Sequence, residues 1–481
     1  MDHFDVVIVG AGLSGIGTAH HIESKCPWAS YVVLEGRDDV GGTWDLFRYP
    51  GIRSDSDMFT LGYGFRPWTG AKAIADGPDI LQYLKDTATA TGVDKRIRFG
   101  HRVVRADWSN AEAKWRVEVE LVGTGVRVEI TCGFLLACTG YYRYDHGYQP
   151  DFQGLDQFAG TVVHPQHWPE DLDYEGRRVV VIGSGATAVT LVPALAERAR
   201  HVTMLQRSPS YIAPLPNPSP VDELLRRLLP TRWSVPARFL HLLSMQGSYR
   251  LARRHPRLVK RVLRAEQKRL LPPGYDVDTH FTPRYEPWDQ RFCFAPNGDL
   301  FGAIRAGRAS VVTDEIDRFT SRGVLLRSGT ELEADIVVSA TGLELLFLGG
   351  MAIAVDGEQL ELPGRLTYKG MMLEGIPNLA FTIGYTNASW TLRCELIAMY
   401  VCRLLNHMHR RGLRRCAPVN DDATVVSSPI MGLDSGYIRR SAHLLPRQGS
   451  AMPWQVRQSY LRDVRATKMA PIDDGALVFS G

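Results

Sequence analysis

The chain has 481 residues, of which 44% are hydrophobic and 22% are charged, an ordinary composition for a globular protein of two or three domains. A formal net charge of only +4 gives no indication of nucleic-acid binding. Seven scattered cysteines without a C-x-x-C pair argue against a zinc site or a disulfide scaffold. We therefore expect no nucleic-acid partner, no metal and a cytoplasmic location.

The first forty residues follow the order of a nucleotide-binding β-α-β unit. Residues 5–9 are a continuous apolar run typical of a buried strand, and the turn Gly10-Ala11-Gly12-Leu13-Ser14-Gly15 and a helical run follow at once. A second apolar run, residues 31–34, ends in Glu35, twenty residues beyond Gly15. The glycines let the backbone approach a pyrophosphate at the helix N-terminus, and Glu35 can bind a ribose 2′-hydroxyl. The order predicts a Rossmann dinucleotide site.

A second unit repeats this order with one chemical difference. Residues 178–182 form an apolar run, the turn Gly183-Ser184-Gly185-Ala186-Thr187-Ala188 follows, and the next apolar run ends in Gln206-Arg207. Arg207 replaces the acid of the first unit. A guanidinium pairs with a ribose 2′-phosphate that a carboxylate would repel, so we predict NADP(H) here. The alternative is an ordinary surface arginine that follows a strand.

The segment between the two units has the pattern F-x-G-x-x-x-H-x-x-x-W-P, carried by Phe158, Gly160, His164 and Trp168-Pro169. Gly160 allows a turn and the prolines stiffen the crossing, while His164 and Trp168 place polar and aromatic groups at the joint. A proline-rich linker whose histidines merely pack is the alternative. With this spacing the sequence resembles the Baeyer–Villiger flavoprotein monooxygenases, whose linker fingerprint is the same.

The resemblance implies an α/β protein with two Rossmann-like dinucleotide-binding domains, for FAD and for NADP, and a helical insertion. It places the segment that contains Thr43 and Trp44 along FAD, and the backbone near Val103 at the adenine. It also implies that Asp55 lies beside the flavin ring and that Arg53 and Ser54 contact the nicotinamide half of NADP.

The chemistry implied by the family is oxygenation by NADPH and O2. No cysteine pair follows Gly42, so a disulfide reductase is disfavoured. By family position, Arg291 stabilises a C4a-peroxyflavin and Asp55 orients Arg291. Many relatives have a lysine directly before this arginine, whereas this chain has Gln290, which leaves the positioning of the nicotinamide open.

The expected substrates are small ketones, which would give esters or lactones, together with sulfides and thioamides. The alternative in the same class is a flavin-containing monooxygenase that oxidises only nitrogen and sulfur. The alternative in another class is an NADPH-flavin oxidase or redox sensor without oxygen transfer.

Five stretches describe the expected domain organisation. They are the first part of the FAD domain (1–145), the first part of the NADP domain (146–211, with the fingerprint at 158–169), a basic helical insertion (212–287), the second part of the NADP domain (288–337), and the second part of the FAD domain with a C-terminal tail (338–481).

The insertion is the most basic part of the chain. Residues 221–271 contain 13 Lys and Arg against 3 Asp and Glu, and their leucines recur at amphipathic helical spacing. A basic amphipathic segment suits an anionic membrane surface, so we hypothesise peripheral contact of 221–271 with the inner face of the cell membrane. A solvated charged surface is the alternative.

Overall fold

A computed structural model describes residues 2–229, 232–432 and 435–481. Two sheets organise it: one of eleven strands and one of five strands. The eleven-stranded sheet takes strands from both ends of the chain, and the five-stranded sheet takes its strands from the middle. The chain therefore leaves the first sheet, builds the second and returns.

The N-terminal part begins the eleven-stranded sheet. Its elements are β1 (Asp2–Val9), α1 (Leu13–Lys25), β2 (Tyr31–Leu34), α2 (Thr43–Leu46), α3 (Met58–Leu61), α4 (Gly77–Thr91), β3 (Ile97–Arg98), β4 (His101–Ser109), β5 (Lys114–Leu121) and β6 (Arg127–Ala137). Strands β3, β2, β1 and β6 are adjacent and parallel. Their apolar runs are buried on both faces, as parallel strands require. Strands β4 to β6 form an antiparallel meander.

The five-stranded sheet begins with β7 (Thr161–Val163), β8 (Arg178–Ile182), α5 (Ala186–Leu195) and β9 (His201–Gln206). The chain then enters β10 (Ile212–Leu215), α6 (Pro220–Leu228), α7 (Ser234–Arg254), α8 (Pro256–Leu270), α9 (Val277–Phe281) and β11 (Cys293–Pro296). The alternating apolar residues at 288–294 predict a longer strand than the structure has. Trp288 has a φ of 72°, which breaks extended geometry, so pairing starts only at Cys293.

The second sheet is completed by α10 (Asp299–Arg305), β12 (Ala309–Thr313), β13 (Ile316–Thr320), β14 (Gly323–Leu326), β15 (Glu331–Glu333) and β16 (Ile336–Ser339). Its order is β12-β9-β8-β16-β7, and every neighbouring pair is parallel. Strands β13 to β15 form a separate antiparallel sheet.

The last part of the chain returns to the first sheet. Its elements are β17 (Ala352–Val355), β18 (Glu358–Gln359), β19 (Thr367–Tyr368), β20 (Met372–Leu373), β21 (Leu379–Phe381), α11 (Trp390–Arg411), β22 (Arg415–Pro418), β23 (Ser427–Pro429), α12 (Gly436–Ser441), β24 (Arg447–Gly449), α13 (Tyr460–Val464) and β25 (Leu477–Ser480). Strand β17 pairs with β4, and β21 pairs with β6. The tail is tied down by pairing of β25 with β22 and by an ion pair at 2.8 Å between the buried Lys369 and Asp474.

The two nucleotide-binding units have the same local geometry at their first glycine. Gly10 has a φ of 102° and Gly183 has a φ of 140°. A Cβ at Gly10 would lie 2.6 Å from the carbonyl oxygen of Cys138, and one at Gly183 would lie 2.4 Å from that of Ala340. Only glycine fits at either place, so the repeat seen in the sequence is also a repeat of backbone contacts.

Candidate active site

One cavity of about 510 Å³ lies between the two nucleotide-binding units. Thirteen residues predicted for cofactor binding or catalysis line it: Gly10, Gly12, Ser14, Glu35, Thr43, Trp44, Arg53, Ser54, Asp55, Val103, Ala186, Thr187 and Arg291. They come from both sheets and from the residues that precede β11. The fold therefore gathers residues that are almost 300 positions apart in the sequence around one space.

The N-terminus of α1 offers a site for a pyrophosphate. Gly12, Leu13 and Ser14 line the cavity, and no side chain caps this helix. Its first backbone N–H groups are therefore available to an anion. Gly15 does not line the cavity, since a Cβ there would lie 1.8 Å from the carbonyl oxygen of Gly10. Its contribution is close packing of the helix on the turn.

Glu35 is buried at the far end of this turn. Its carboxylate accepts the backbone N–H of Ala11 at 2.6 Å and that of Arg37 at 2.9 Å. Burial raises the pKa of Glu35 above its ordinary value, although both N–H donors oppose the shift. A carboxylate has about four acceptor positions, so two remain for ribose hydroxyls. Val103, beside a β-bulge in β4, lines the same end of the cavity.

The segment before α2 approaches the α1 turn closely. Gly42 has a φ of 55°, and a Cβ there would lie 3.2 Å from the Cα atom of Gly12 and 3.2 Å from the phenol oxygen of Tyr144. Thr43 and Trp44 follow directly and line the cavity. Burial raises the pKa of Tyr144 to about 12, so its hydroxyl remains a hydrogen-bond donor. This narrow backbone cradle fits a dinucleotide.

Arg291 and Asp55 form an ion pair at the cavity wall. The Nε atom of Arg291 lies 3.0 Å from Oδ2 of Asp55, and both side chains are partly exposed. Burial acts to lower the pKa of Arg291, but the Asp55 carboxylate and nearby tyrosines outweigh it, and the net pKa is raised. Arg291 is therefore a permanent positive charge. Among the residues that the structure describes, its terminal nitrogens have no hydrogen-bond partner.

A second ion pair joins the same two segments. Arg53 pairs with Asp299 and also donates to the carbonyl oxygen of Phe294 at 3.4 Å. Ser54 is buried, and its Oγ accepts the backbone N–H of Ala75 at 3.2 Å. Both residues line the cavity, but their polar groups already form these contacts, which hold residues 53–55 in place. The two ion pairs fix Asp55 and Arg291 against each other from opposite units.

Aromatic side chains outside the sequence motifs form another wall of the cavity. Tyr141 stacks on Trp390 with ring centroids 4.8 Å apart and planes at 11°. Its hydroxyl lies 2.6 Å from that of Tyr142. The only signal in the sequence is their position directly after the Thr139-Gly140 exit of β6. Trp390 begins α11, which brings the N-terminus of that helix to the cavity.

The second glycine turn contributes less to the cavity than the first. Ala186 and Thr187 line it, whereas Gly183, Ser184, Gly185 and Ala188 do not. No side chain caps α5, and Gly185 has open space around it. The turn can therefore accept a phosphate group from outside the cavity.

The end of β9 separates the two residues predicted to contact NADP. Arg207 is exposed, as a contact with a 2′-phosphate requires. Gln206 is buried, and its amide donates to the carbonyl oxygen of His280 at 2.8 Å and to Oγ1 of Thr313 at 2.9 Å. The amide nitrogen is therefore used inside the protein, and Oε1 is also buried, without a partner among the described residues.

The linker fingerprint lies behind the cavity. Nε2 of His164 donates to the carbonyl oxygen of Gly342 at 3.2 Å, while Nδ1 accepts from the backbone of Gln166. Burial lowers the pKa of His164, so the ring stays neutral. Phe158 packs on Phe319, and Trp168 packs against the hydrophobic core around β8, α5 and β9. A Cβ at Gly160 would lie 2.4 Å from the carbonyl oxygen of Asp335.

The cysteines do not form a redox pair at the cavity. All seven are free and buried, and only Cys138 is among the cavity-lining residues of the described chain. Burial raises the pKa of Cys138 to about 11, so it remains a thiol. Within residues 2–229, 232–432 and 435–481, no group of three His, Cys, Asp or Glu is arranged to hold a metal.

Comparison with known proteins establishes the family. Residues 74–362 match a family described as flavin-binding monooxygenase-like, and residues 8–86 match an NAD(P)-binding Rossmann-like domain. The chain is 53% identical over 481 residues to an FAD-containing monooxygenase, EthA, of Mycobacterium tuberculosis, which covers 100% of this chain and 98% of that relative. The chain belongs to the flavin-binding monooxygenase family.

Further similarities agree with this family. A probable FAD-binding monooxygenase, AlmA, of Acinetobacter baylyi is 47% identical over 480 residues, which cover 99% of this chain and 96% of the relative. An oxidised steroid monooxygenase bound to NADP has a TM-score of 0.78 at 22% identity, with 99% of both chains covered. Cyclohexanone monooxygenase in an open form has a TM-score of 0.78 at 20% identity, with 100% of both covered. These structures share the fold.

The fold class and the cofactors expected from the sequence are therefore confirmed. This flavin-binding monooxygenase has two dinucleotide-binding domains and uses FAD and NADPH, with O2 and a small molecule as co-substrates. The uncapped N-terminus of α1, the narrow Gly12–Gly42 approach and the free acceptors of Glu35 fit FAD.

Proposed function

We propose that this monooxygenase inserts one oxygen atom beside a ketone carbonyl, to give an ester or a lactone, and that it also oxidises sulfides and thioamides. The observation that carries the proposal is the Arg291–Asp55 pair, 3.0 Å apart, at the wall of a cavity lined by both nucleotide turns. Bound FAD supplies the redox chemistry, since it accepts electrons from NADPH and delivers them to O2.

Arg291 determines which kind of oxygen transfer the site favours. A unit positive charge about 4 Å from an anion, at an effective dielectric near 20, contributes roughly 4 kcal/mol. That energy corresponds to about three pKa units. A guanidinium in this position keeps an oxygen atom deprotonated and nucleophilic, as attack on a carbonyl carbon requires. The protonated form of the same oxygen would transfer to sulfur.

Asp55 positions the guanidinium without occupying all of it. The carboxylate contacts Nε, which leaves the terminal nitrogens without a partner among the described residues and available to the reacting oxygen. The negative charge of Asp55 also weakens the positive potential around Arg291. Arg291 therefore stabilises the deprotonated oxygen without binding it too tightly to react. Tyr141 and Trp390 stack on each other in the cavity wall. This aromatic wall shields the surroundings of Arg291 from water.

The proposal is tested by product analysis with one ketone and one sulfide. We expect the wild type to give both the ester and the sulfoxide, and to release less hydrogen peroxide than the NADPH it consumes. Arg291→Ala should lower ketone turnover by about 10² to 10³-fold, because it removes the charge that stabilises the reacting anion. NADPH consumption should then continue with release of hydrogen peroxide.

Arg105→Ala is the matched control, because Arg105 pairs with Asp107 at 3.1 Å on a strand that does not place either residue in the cavity. Its product ratio should equal that of the wild type. Unchanged ketone turnover in Arg291→Ala would remove Arg291 from the chemistry. A wild type that gives only sulfoxide would be an enzyme of nitrogen and sulfur oxidation, and peroxide equal to NADPH with every substrate would indicate an oxidase.

A further inference from the structure

Exposed apolar side chains are concentrated in the helical insertion. Of the twenty-one large hydrophobic residues that are exposed in the described chain, eleven lie between Val221 and Val262, in less than a tenth of the sequence. Isolated exposed hydrophobic residues are common on protein surfaces, whereas a concentration of them marks an interaction site.

Helix α7 has an inner and an outer face. On the inner face, Ala237 is buried and Arg238 donates to the carbonyl oxygens of Phe59, at 2.9 Å, and Gly62, at 2.5 Å. On the outer face, Val235, Phe239 and Leu243 follow each other at four-residue spacing and are 62%, 59% and 48% exposed. Residues at this spacing form one row along a helix. The row therefore points away from the protein.

Helix α6 has a similar row. Val221, Leu224 and Leu228 follow at spacings of three and four residues and are 53%, 55% and 67% exposed. Asp222, on another side of the helix, is buried and contacts His241 of α7 at 3.0 Å. The two helices therefore pack through polar contacts and leave their apolar rows in solvent.

Basic side chains accompany these rows. Residues 221–271 have a net charge of +10, from 13 Lys and Arg against 3 Asp and Glu, while the rest of the chain sums to −6. Arg250 and Arg254 continue the outer face of α7 and are exposed. In α8, Arg257 and Arg261 are exposed beside Leu258 and Val262, which are 48% and 54% exposed.

We propose that α6, α7 and α8 form a docking surface for an anionic phospholipid bilayer. Apolar residues that alternate with arginines match the bilayer interface, where apolar side chains reach the acyl chains and guanidinium groups reach the phosphates. The centre of a protein–protein interface is instead depleted of charge. Within residues 2–229, 232–432 and 435–481, no helix is both long enough and apolar enough to cross a membrane.

The docking surface is connected to the cavity through helix α3. Helix α7 packs on α3, whose last residue, Leu61, lines the cavity. Arg238 also contacts Glu395 of α11 at 3.2 Å. A bilayer that holds α7 would thus lie on the α3 side of the cavity.

Flotation of the FAD-loaded full-length protein with vesicles tests the proposal. The probes are vesicles of phosphatidylcholine alone and of phosphatidylcholine with phosphatidylglycerol. We expect binding to the anionic vesicles that weakens as salt is raised. The apolar variant Val235→Ser/Phe239→Ser/Leu243→Ser should lose at least tenfold in partitioning. The charge variant Arg250→Gln/Arg254→Gln/Arg257→Gln/Arg261→Gln should lose roughly a thousandfold.

Two control variants carry changes of the same kind elsewhere on the surface. Val122→Ser/Val126→Ser removes exposed apolar residues of the β5–β6 turn, and Arg116→Gln/Arg127→Gln/Arg318→Gln/Arg327→Gln removes four exposed charges. Both should bind as the wild type does. Equal binding of the wild type and the insertion variants would overturn the proposal. So would a wild type that ignores vesicles but self-associates through a contact that the apolar variant abolishes.

A site-specific label gives an independent readout. The native cysteines are buried, so a polarity-sensitive dye can be attached selectively at Phe239→Cys or, as a control, at Val122→Cys. Anionic vesicles should shift the emission of the dye at position 239 to the blue and leave the dye at position 122 unchanged. No shift at position 239 in the presence of bound vesicles would contradict insertion of this row.

Discussion

Glu35 and Arg207 occupy equivalent positions, each directly after the second strand of a nucleotide-binding unit. Glu35 is buried and holds two backbone N–H groups, so its carboxylate is part of the rigid turn. Arg207 is exposed and free to meet a ligand in solution. The same place in two similar units thus presents opposite charges in opposite environments, and we propose that this difference lets one chain distinguish two dinucleotides.

Arg207→Ala should weaken NADPH binding without changing the chemistry. A charged hydrogen bond to the 2′-phosphate contributes about 1.5 to 3 kcal/mol, so KM for NADPH should rise by roughly 10- to 100-fold with kcat nearly constant. KM for NADH should change little. Arg200→Ala, at the opposite end of the same strand and also exposed, is the control. An equal rise in KM for both nucleotides would show that Arg207 does not recognise the phosphate.

Residues of the candidate site that belong to local sequence motifs could be predicted. Residues that reach the site only through long-range contacts could not. The two glycine turns follow from spacing alone, whereas the roles expected for Asp55 and Arg291 come from the family resemblance. Tyr141 and Tyr142 were missed because nothing in their spacing indicates that α11 brings Trp390 against them. Gln206 was assigned to the nucleotide by position, but partners on α9 and β12 turn its side chain inward.

At the scale of elements, helix α7 makes polar contacts that hold the insertion to the first domain. Helix α7 contacts α3 and α11 through Arg238. His241 lies between Asp222 of α6, at 3.0 Å, and Asp57, the N-cap residue of α3, at 3.6 Å. Burial acts to lower the pKa of His241, but the two carboxylates outweigh it and raise the pKa above its ordinary value. Protonated His241 therefore fastens α6 and α7 to α3.

This pair of contacts predicts a pH-dependent stability of the insertion. A histidine with a raised folded pKa contributes fully below its unfolded pKa of about 6.5, and the contribution is lost as the pH rises through the folded value. The Tm difference between wild type and His241→Gln should therefore be largest below about pH 6.5 and shrink as the pH rises further. His255→Gln, an exposed histidine at the end of α7, should show no such trend. A difference that grows with pH would reverse the assigned charge state.

The types of element were easier to predict than their ends and partners. Apolar periodicity indicates the strands after residues 5, 31 and 178 and the helices of the insertion, because these patterns are local. It does not indicate that β17 and β21 pair with β4 and β6, more than 200 residues earlier. It also predicts too long a strand before Cys293, in a segment where Trp288 has a positive φ and Arg291 lines the cavity.

At the scale of the whole molecule, two chain segments cross between the domains. The linker fingerprint (158–169) connects these two crossings to each other. The chain leaves the first sheet after β6 and returns to it after β16. Nε2 of His164 donates to the carbonyl oxygen of Gly342, in the return crossing, at 3.2 Å. The side-chain amide of Gln166 donates to the carbonyl oxygen of Arg143, in the outgoing crossing, at 2.7 Å. The hydroxyl of Thr341 donates to the carbonyl oxygen of Tyr148 at 2.6 Å, which ties the two crossings directly.

His164→Ala should loosen this joint and slow transfer between the two nucleotide carriers. The loss of one hydrogen bond of about 1 kcal/mol that fixes their relative placement should lower the rate of flavin reduction by NADPH by roughly five- to tenfold. FAD content and KM for NADPH should stay close to those of the wild type, because no cavity-lining group changes. His167→Ala is the control, since His167 is exposed in the same turn. The measurement is anaerobic stopped-flow reduction, followed by flavin absorbance. An unchanged rate in His164→Ala would mean that this hydrogen bond does not set the geometry of transfer, whereas loss of bound FAD would mean that the fingerprint supports the first domain rather than the joint.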